Sequence, residues 1–126
     1  MTAFQILPVA AAAAMGLFVL ALLLRSGPAL WQVPAVASAL FAAYSLYAVA
    51  SGGPTGFWTE HTRNAWGVQI WFDLLLAVAV ALALLMPRAR AQGMRVWPWT
   101  ALVLGTGCIG LTAMMARLMY LEDATA

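Results

Sequence analysis

The chain has 126 residues, 65% of them apolar and only 8% charged, with six Arg, no Lys and four Asp or Glu for a formal net charge of +2. Soluble domains are about a quarter charged, so this chain cannot cover itself with a polar surface. A soluble enzyme, a disordered tail and a nucleic-acid binder are excluded. One cysteine, Cys108, excludes an internal disulfide, a CxxC redox pair and a Cys-based zinc site.

Four apolar segments each approach the roughly 20 residues that cross about 30 Å of hydrocarbon as a helix. The first covers about residues 6–24 and stops at Arg25-Ser26-Gly27-Pro28. It lacks the basic start of a signal peptide and reads as a retained helix. The second covers about 29–50 and stops at Ser51-Gly52-Gly53-Pro54. The third runs from about 66 to 86 and ends before Pro87-Arg88-Ala89-Arg90; the fourth runs from about 97 to 120, with Pro98 in its first turn. The runs are continuous rather than alternating, which excludes a β-barrel. The fold class expected is therefore all-α, an integral membrane four-helix bundle forming a single transmembrane domain over residues 1–126. A weak two-plus-two division at residues 51–57 is the one internal boundary.

Arginine placement orients the spans. Arg25, Arg88, Arg90 and Arg95 fall in the 1–2 and 3–4 connections, whereas Arg63 and Arg117 fall at the other side with Glu60, Glu122 and Asp123. The positive-inside rule then puts both termini on the outer, periplasmic side of a bacterial cytoplasmic (inner) membrane. Trp31, Trp97 and Trp99 would form the inner aromatic belt, with Trp58, Trp66 and Tyr120 as the outer one.

Polar side chains inside the spans carry the functional information, because a spanning helix satisfies its own backbone. Asp73 lies about two turns inside the third helix. Trp66, Gln69 and Asp73, spaced i, i+3, i+7, share one stripe of it. On the fourth helix Thr106, Gly110, Ala113, Arg117 and Tyr120 form a narrow arc, and an Asp73–Arg117 pair across the interface would neutralise both charges. Helix two adds a small-residue stripe, Ser38, Ala42 and Ser45, with Tyr44 and Tyr47 in the same outer half. Tyr44, Tyr47, Trp66, Gln69, Asp73, Arg117 and Tyr120 would then surround one polar-aromatic pocket. Two readings stand: a ligand-binding or catalytic site for an amphiphile, with Asp73 and then Glu60 as candidate acids, or a structural ion pair ringed by belt residues.

The segment Gly56–Asn64 holds Glu60 and His61 side by side, where helical metal pairs need i, i+3 or i+4 spacing. It reads as a solvated loop, with His61 as a proton carrier in the sharper alternative. No metal and no cofactor is expected. Gly105-Thr106-Gly107-Cys108-Ile109-Gly110 matches the dinucleotide fingerprint letter for letter. It lacks the preceding strand that the motif requires and reads as close helix packing.

The second half carries a resemblance. Asn64-Ala65-Trp66, Asp73-Leu74-Leu75, the turn from Arg88 through Gly93 and Arg95 to Trp97-Pro98-Trp99, and small residues from Gly107 to Arg117 resemble a family of small bacterial four-helix membrane proteins catalogued as a domain of unknown function. That resemblance covers about residues 56–120 and implies a fold without an activity. A looser similarity is to membrane-integral terpene cyclases, which implies a buried acid, here Asp73 with Glu60 as a second, and aromatic faces that steady carbocations. Small multidrug-resistance transporters share only the size, because residues 6–24 contain no acid.

The function expected is an accessory subunit or lipid-binding partner of a larger membrane assembly. The alternative is a membrane-embedded enzyme or carrier acting on an isoprenoid or other lipid, with Asp73 at its centre. Expected partners are membrane lipids and other membrane polypeptides or further copies of the chain, with no nucleic acid.

Overall fold

The long apolar runs of the sequence are helical in the computed structural model, which describes residues 2–27 and 29–126. Pro28, the last residue of the break expected after the first helix, lies outside the described residues. Six helices follow one another: α1 (Ala3–Leu24), α2 (Gln32–Gly52), α3 (Gly56–His61), α4 (Ala65–Ala91), α5 (Val96–Thr106) and α6 (Cys108–Thr125). Three of them, α1, α2 and α4, are long and apolar enough to cross a membrane. The chain divides into two compact units, residues up to Leu30 and Trp31–Ala126.

The first unit is α1 and its exit. Gln5 reaches back to accept a hydrogen bond from the Thr2 N–H at 2.9 Å, which fixes the first turn. Beyond Gln5 the helix carries no polar side chain.

The second unit is built around α6, which packs against α2, α4 and α5. Val78, Leu85 and Ala89 of α4, Val103 of α5, and Met114 and Leu118 of α6 form its core. On α4 the buried positions Gly67, Val78, Leu85 and Ala89, with Trp71, Leu74 and Leu82 beside them, follow the i, i+3/i+4 spacing of one helical face. On α2 the stripe Ser38, Ala42 and Ser45 is the face turned inward. The Ser38 hydroxyl donates to the Ile109 carbonyl of α6 at 2.8 Å.

Two of the long helices have boundaries that differ from the sequence reading. Helix α2 starts at Gln32 rather than near residue 29, after an αR Trp31. Helix α4 runs through Pro87 instead of stopping at Met86. Proline removes only the bond to the Ala83 carbonyl, while Leu85 and the fully buried Ala89 hold the following turn in the core. A Schellman turn then ends the helix: Met94 N–H bonds the Ala89 carbonyl at 2.9 Å, Gly93 N–H bonds Arg90 at 3.0 Å, and Gly93 takes φ 73°.

The largest correction concerns the fourth span. It is not one helix over 97–120 but two, broken at Gly107, whose φ of 64° and ψ of −126° suit a residue without a Cβ. The chain reverses there. Helix α6 returns alongside α5, so that Gly110 lies against the backbone of Leu102, 2.8 Å from where a Cβ would stand. Thr106 holds the break together: its hydroxyl donates to the Leu102 carbonyl at 2.7 Å and accepts from the Gly110 N–H at 2.9 Å. Helix α5, of 11 residues, is about 16 Å long and reaches roughly half the hydrocarbon thickness.

The end of α6 therefore lies beside the end of α4. Arg88 grips Glu122 through two bonds, Nε to Oε1 at 3.0 Å and Nη2 to Oε2 at 2.6 Å, and the Thr125 hydroxyl donates to Gln92 Oε1 at 3.4 Å. The four-span reading had placed Arg88 and Glu122 on opposite sides. The start of α2 joins the same end, where Trp31 meets Tyr120 edge to face at 5.4 Å.

Candidate functional site

The candidate residues read from the sequence fall into three places in the second unit. No ion pair joins Asp73 to Arg117. Helix α6 rises towards the Arg88 end of α4, and Asp73 is 15 residues, about 22 Å, from that end along the axis. The seven residues expected to line one pocket therefore do not converge.

The first place is the outward face of α4. Trp66, Gln69 and Asp73 share a stripe, as their spacing predicts, but it turns away from the core. The stripe continues through Ala77, Val80 and Leu84, all exposed. The buried stripe of α4 is made of small and aliphatic residues instead, because α6 must approach closely there. Asp73 has no hydrogen-bond partner within its unit.

The second place is the end formed by the close of α2, by α3 and by the start of α4. The segment expected as a loop contains a helical turn and a half, α3, laid over α4. Gly67 permits this approach, since a Cβ there would strike the Glu60 carbonyl oxygen. The Asn64 side chain caps α4 by accepting from the Gly67 N–H at 2.9 Å. Trp71 anchors the lid of aromatic rings, with His61 at 5.0 Å, Phe57 at 6.2 Å and Trp58 at 6.4 Å. Between α2 and α3 lies a cleft of about 580 Å³ lined by Phe41, Tyr44, Val49, Phe57 and Glu60 among others. Tyr47 stacks obliquely on Tyr44 at 5.9 Å. Glu60 bonds Arg63 at 3.0 Å on the exposed surface. Trp71 escaped the sequence reading, although its i+4 spacing from Gly67 marks the same face.

The third place is the arginine-rich end. Tyr120, expected in the opposite belt, sits here with Trp31, and the Arg117 guanidinium lies 5.7 Å from the Tyr120 ring centre. Arg117 also lines a cleft of about 410 Å³ with Gln92, Arg95, Pro98, Trp99 and Leu121. Trp99, expected as a belt residue, packs against the core, while Trp97 stays exposed. Gln92, Arg95 and Glu122 were not read as site residues. The reversal at Gly107 brings Arg117 and Glu122 of α6 to the turn that holds Gln92 and Arg95, and no charge pattern along the chain announces it.

Among the described residues no three of His, Cys, Asp or Glu gather into a metal-binding group. Compared with protein-family models, with curated proteins and with solved structures, the chain matches none.

Proposed function

We propose that this chain is a small integral membrane protein of a bacterial cytoplasmic membrane that serves as an accessory subunit of a larger assembly, joined through the outward face of α4. Asp73 carries the reading. An Asp at the centre of a spanning helix costs about 2.5–3.5 kcal/mol on insertion scales. Neither α2 nor α5 nor α6 donates a hydrogen bond to it, and α1 has no polar side chain beyond Gln5. A donor from another polypeptide, an Arg, Lys, Ser or Asn on a neighbouring spanning helix, satisfies Asp73 and Gln69 together while Ala77 and Val80 pack.

The same reading orients the chain. Arg88, Arg90, Arg95 and Arg117 share one end of the second unit, and Arg25 lies in the segment leading into α2; Arg63 alone lies at the other end. The positive-inside rule assigns the arginine-rich end, and with it the C-terminus, to the cytoplasm.

The test is gentle solubilisation from the native membrane followed by native mass spectrometry. The chain is expected in a stoichiometric complex that Asp73→Leu dissociates, while the released chain keeps its helical circular dichroism. A chain that runs alone, with or without Asp73→Leu, defeats the proposal. A lone chain that retains one prenyl lipid and loses it on Asp73→Asn would establish the alternative, an isoprenoid enzyme or carrier.

A further inference from the structure

The arginine-rich end holds cations that no carboxylate of the fold pairs. Arg88 is engaged by Glu122, whereas Arg95 and Arg117 make no ion pair yet line the same cleft. The Schellman turn at Gly93 sets Arg95 there, two residues after the helix reverses direction. The Gly107 hairpin brings Arg117 to face it. The end as a whole carries Arg88, Arg90, Arg95 and Arg117 against Glu122 and Asp123, a surplus of two positive charges.

The neighbourhood of these cations is amphipathic. Gln92 accepts from Thr125 through Oε1, which leaves its amide N–H groups free to donate, and Trp99 lines the same wall. Arg117 is shared with an adjoining groove of about 280 Å³ formed by Trp31, Ala116 and Tyr120, whose walls are almost entirely apolar. Trp31, Trp97 and Tyr120 are the residue types that sit at the headgroup level of a bilayer.

We infer that this cleft binds an acidic phospholipid, its headgroup phosphate held between Arg95 and Arg117 and one acyl chain laid along Trp31, Ala116 and Tyr120. Guanidinium groups match phosphate oxygens with two parallel hydrogen bonds, and basic pockets between helices at the cytoplasmic side select anionic headgroups. A free phosphate ion would satisfy the arginines but leave the apolar groove without an occupant, so the lipid is the source to which the geometry points. The site is separate from the α4 face: it survives if Asp73 proves to have no partner.

Native mass spectrometry of the full chain in detergent, titrated with phosphatidylglycerol or with phosphatidylcholine, tests this. Phosphatidylglycerol should bind more tightly, and Arg95→Gln and Arg117→Gln should each weaken it about fivefold, the scale of one cation at an anionic surface. Arg117→Lys should keep most of the preference, and circular dichroism of each variant reports whether the hairpin is intact. Equal binding of both lipids overturns the inference. So does a preference unchanged in folded Arg95→Gln and Arg117→Gln. Displacement of the bound lipid by millimolar inorganic phosphate at constant ionic strength would make this a soluble-anion site and also overturns it.

Discussion

Single atoms decide how closely the helices of the second unit approach. Ser38 and Gly110 work from two sides of α6: the serine hydroxyl ties α2 to the Ile109 carbonyl, and the missing Cβ of Gly110 lets α5 lie against it. Interhelical hydrogen bonds in membranes average about 0.6 kcal/mol, so Ser38→Ala is a small loss. Gly110→Ala is the larger one, because the new Cβ meets the Leu102 backbone and Thr106 Oγ1 at 2.8 Å, and backbone cannot swing aside. Overpacking of this kind costs about 1–3 kcal/mol. We therefore expect Gly110→Ala to lower the thermal midpoint in detergent well beyond Ser38→Ala, as read by tryptophan fluorescence. The α2 stripe was legible in the sequence because Ser38, Ala42 and Ser45 recur at helical spacing among larger residues. Asp73 was equally legible as an outlier, but not its direction: a stripe holding an acid and a stripe of small aliphatics are both plausible interfaces, and only the position of α6 chose between them.

At the scale of elements, the reversal between α5 and α6 governs everything downstream. Hydropathy cannot see it, since Gly105, Thr106, Gly107 and Cys108 are small and compatible with either a straight span or a tip. What distinguishes them is propensity. Two glycines around a threonine cost roughly 2 kcal/mol relative to alanines within a helix, and the Thr106 hydroxyl gives the Gly110 N–H an acceptor in place of a ladder carbonyl while donating to the Leu102 carbonyl. The unpaired groups of the break could not otherwise be tolerated away from water. Thr106→Val keeps shape and removes both bonds. It should loosen the tip without unfolding the unit, seen as faster maleimide labelling of Cys108, which is half-buried beside the break. Unchanged labelling would mean that Thr106 does not hold the tip. Gly107→Ala should act in the same direction through backbone strain of about 1–3 kcal/mol.

For the molecule as a whole, composition pointed to membrane-spanning helices, and the helix stops at Arg25 and Gly53 were readable as punctuation, whereas the stop expected before Pro87 falls only at Gly93. The end of the unit at which the C-terminus lies was not readable, because counting spans assumes that every apolar run of membrane length crosses. Residues 97–120 satisfy that assumption by length and violate it by shape. The consequence is electrostatic as well as topological: Arg117 moves from the sparse end to the crowded one, and the arginines of the second unit divide four to one. The most direct test is cysteine mapping in a Cys108→Ser background, with a membrane-impermeant maleimide applied to intact cells and to inverted vesicles. Single cysteines at Gln92, Ala124 and Thr59 report the α4–α5 turn, the C-terminus and α3. The hairpin predicts that Gln92→Cys and Ala124→Cys label from one side and Thr59→Cys from the other; labelling of Ala124→Cys together with Thr59→Cys would restore a fourth crossing and contradict it.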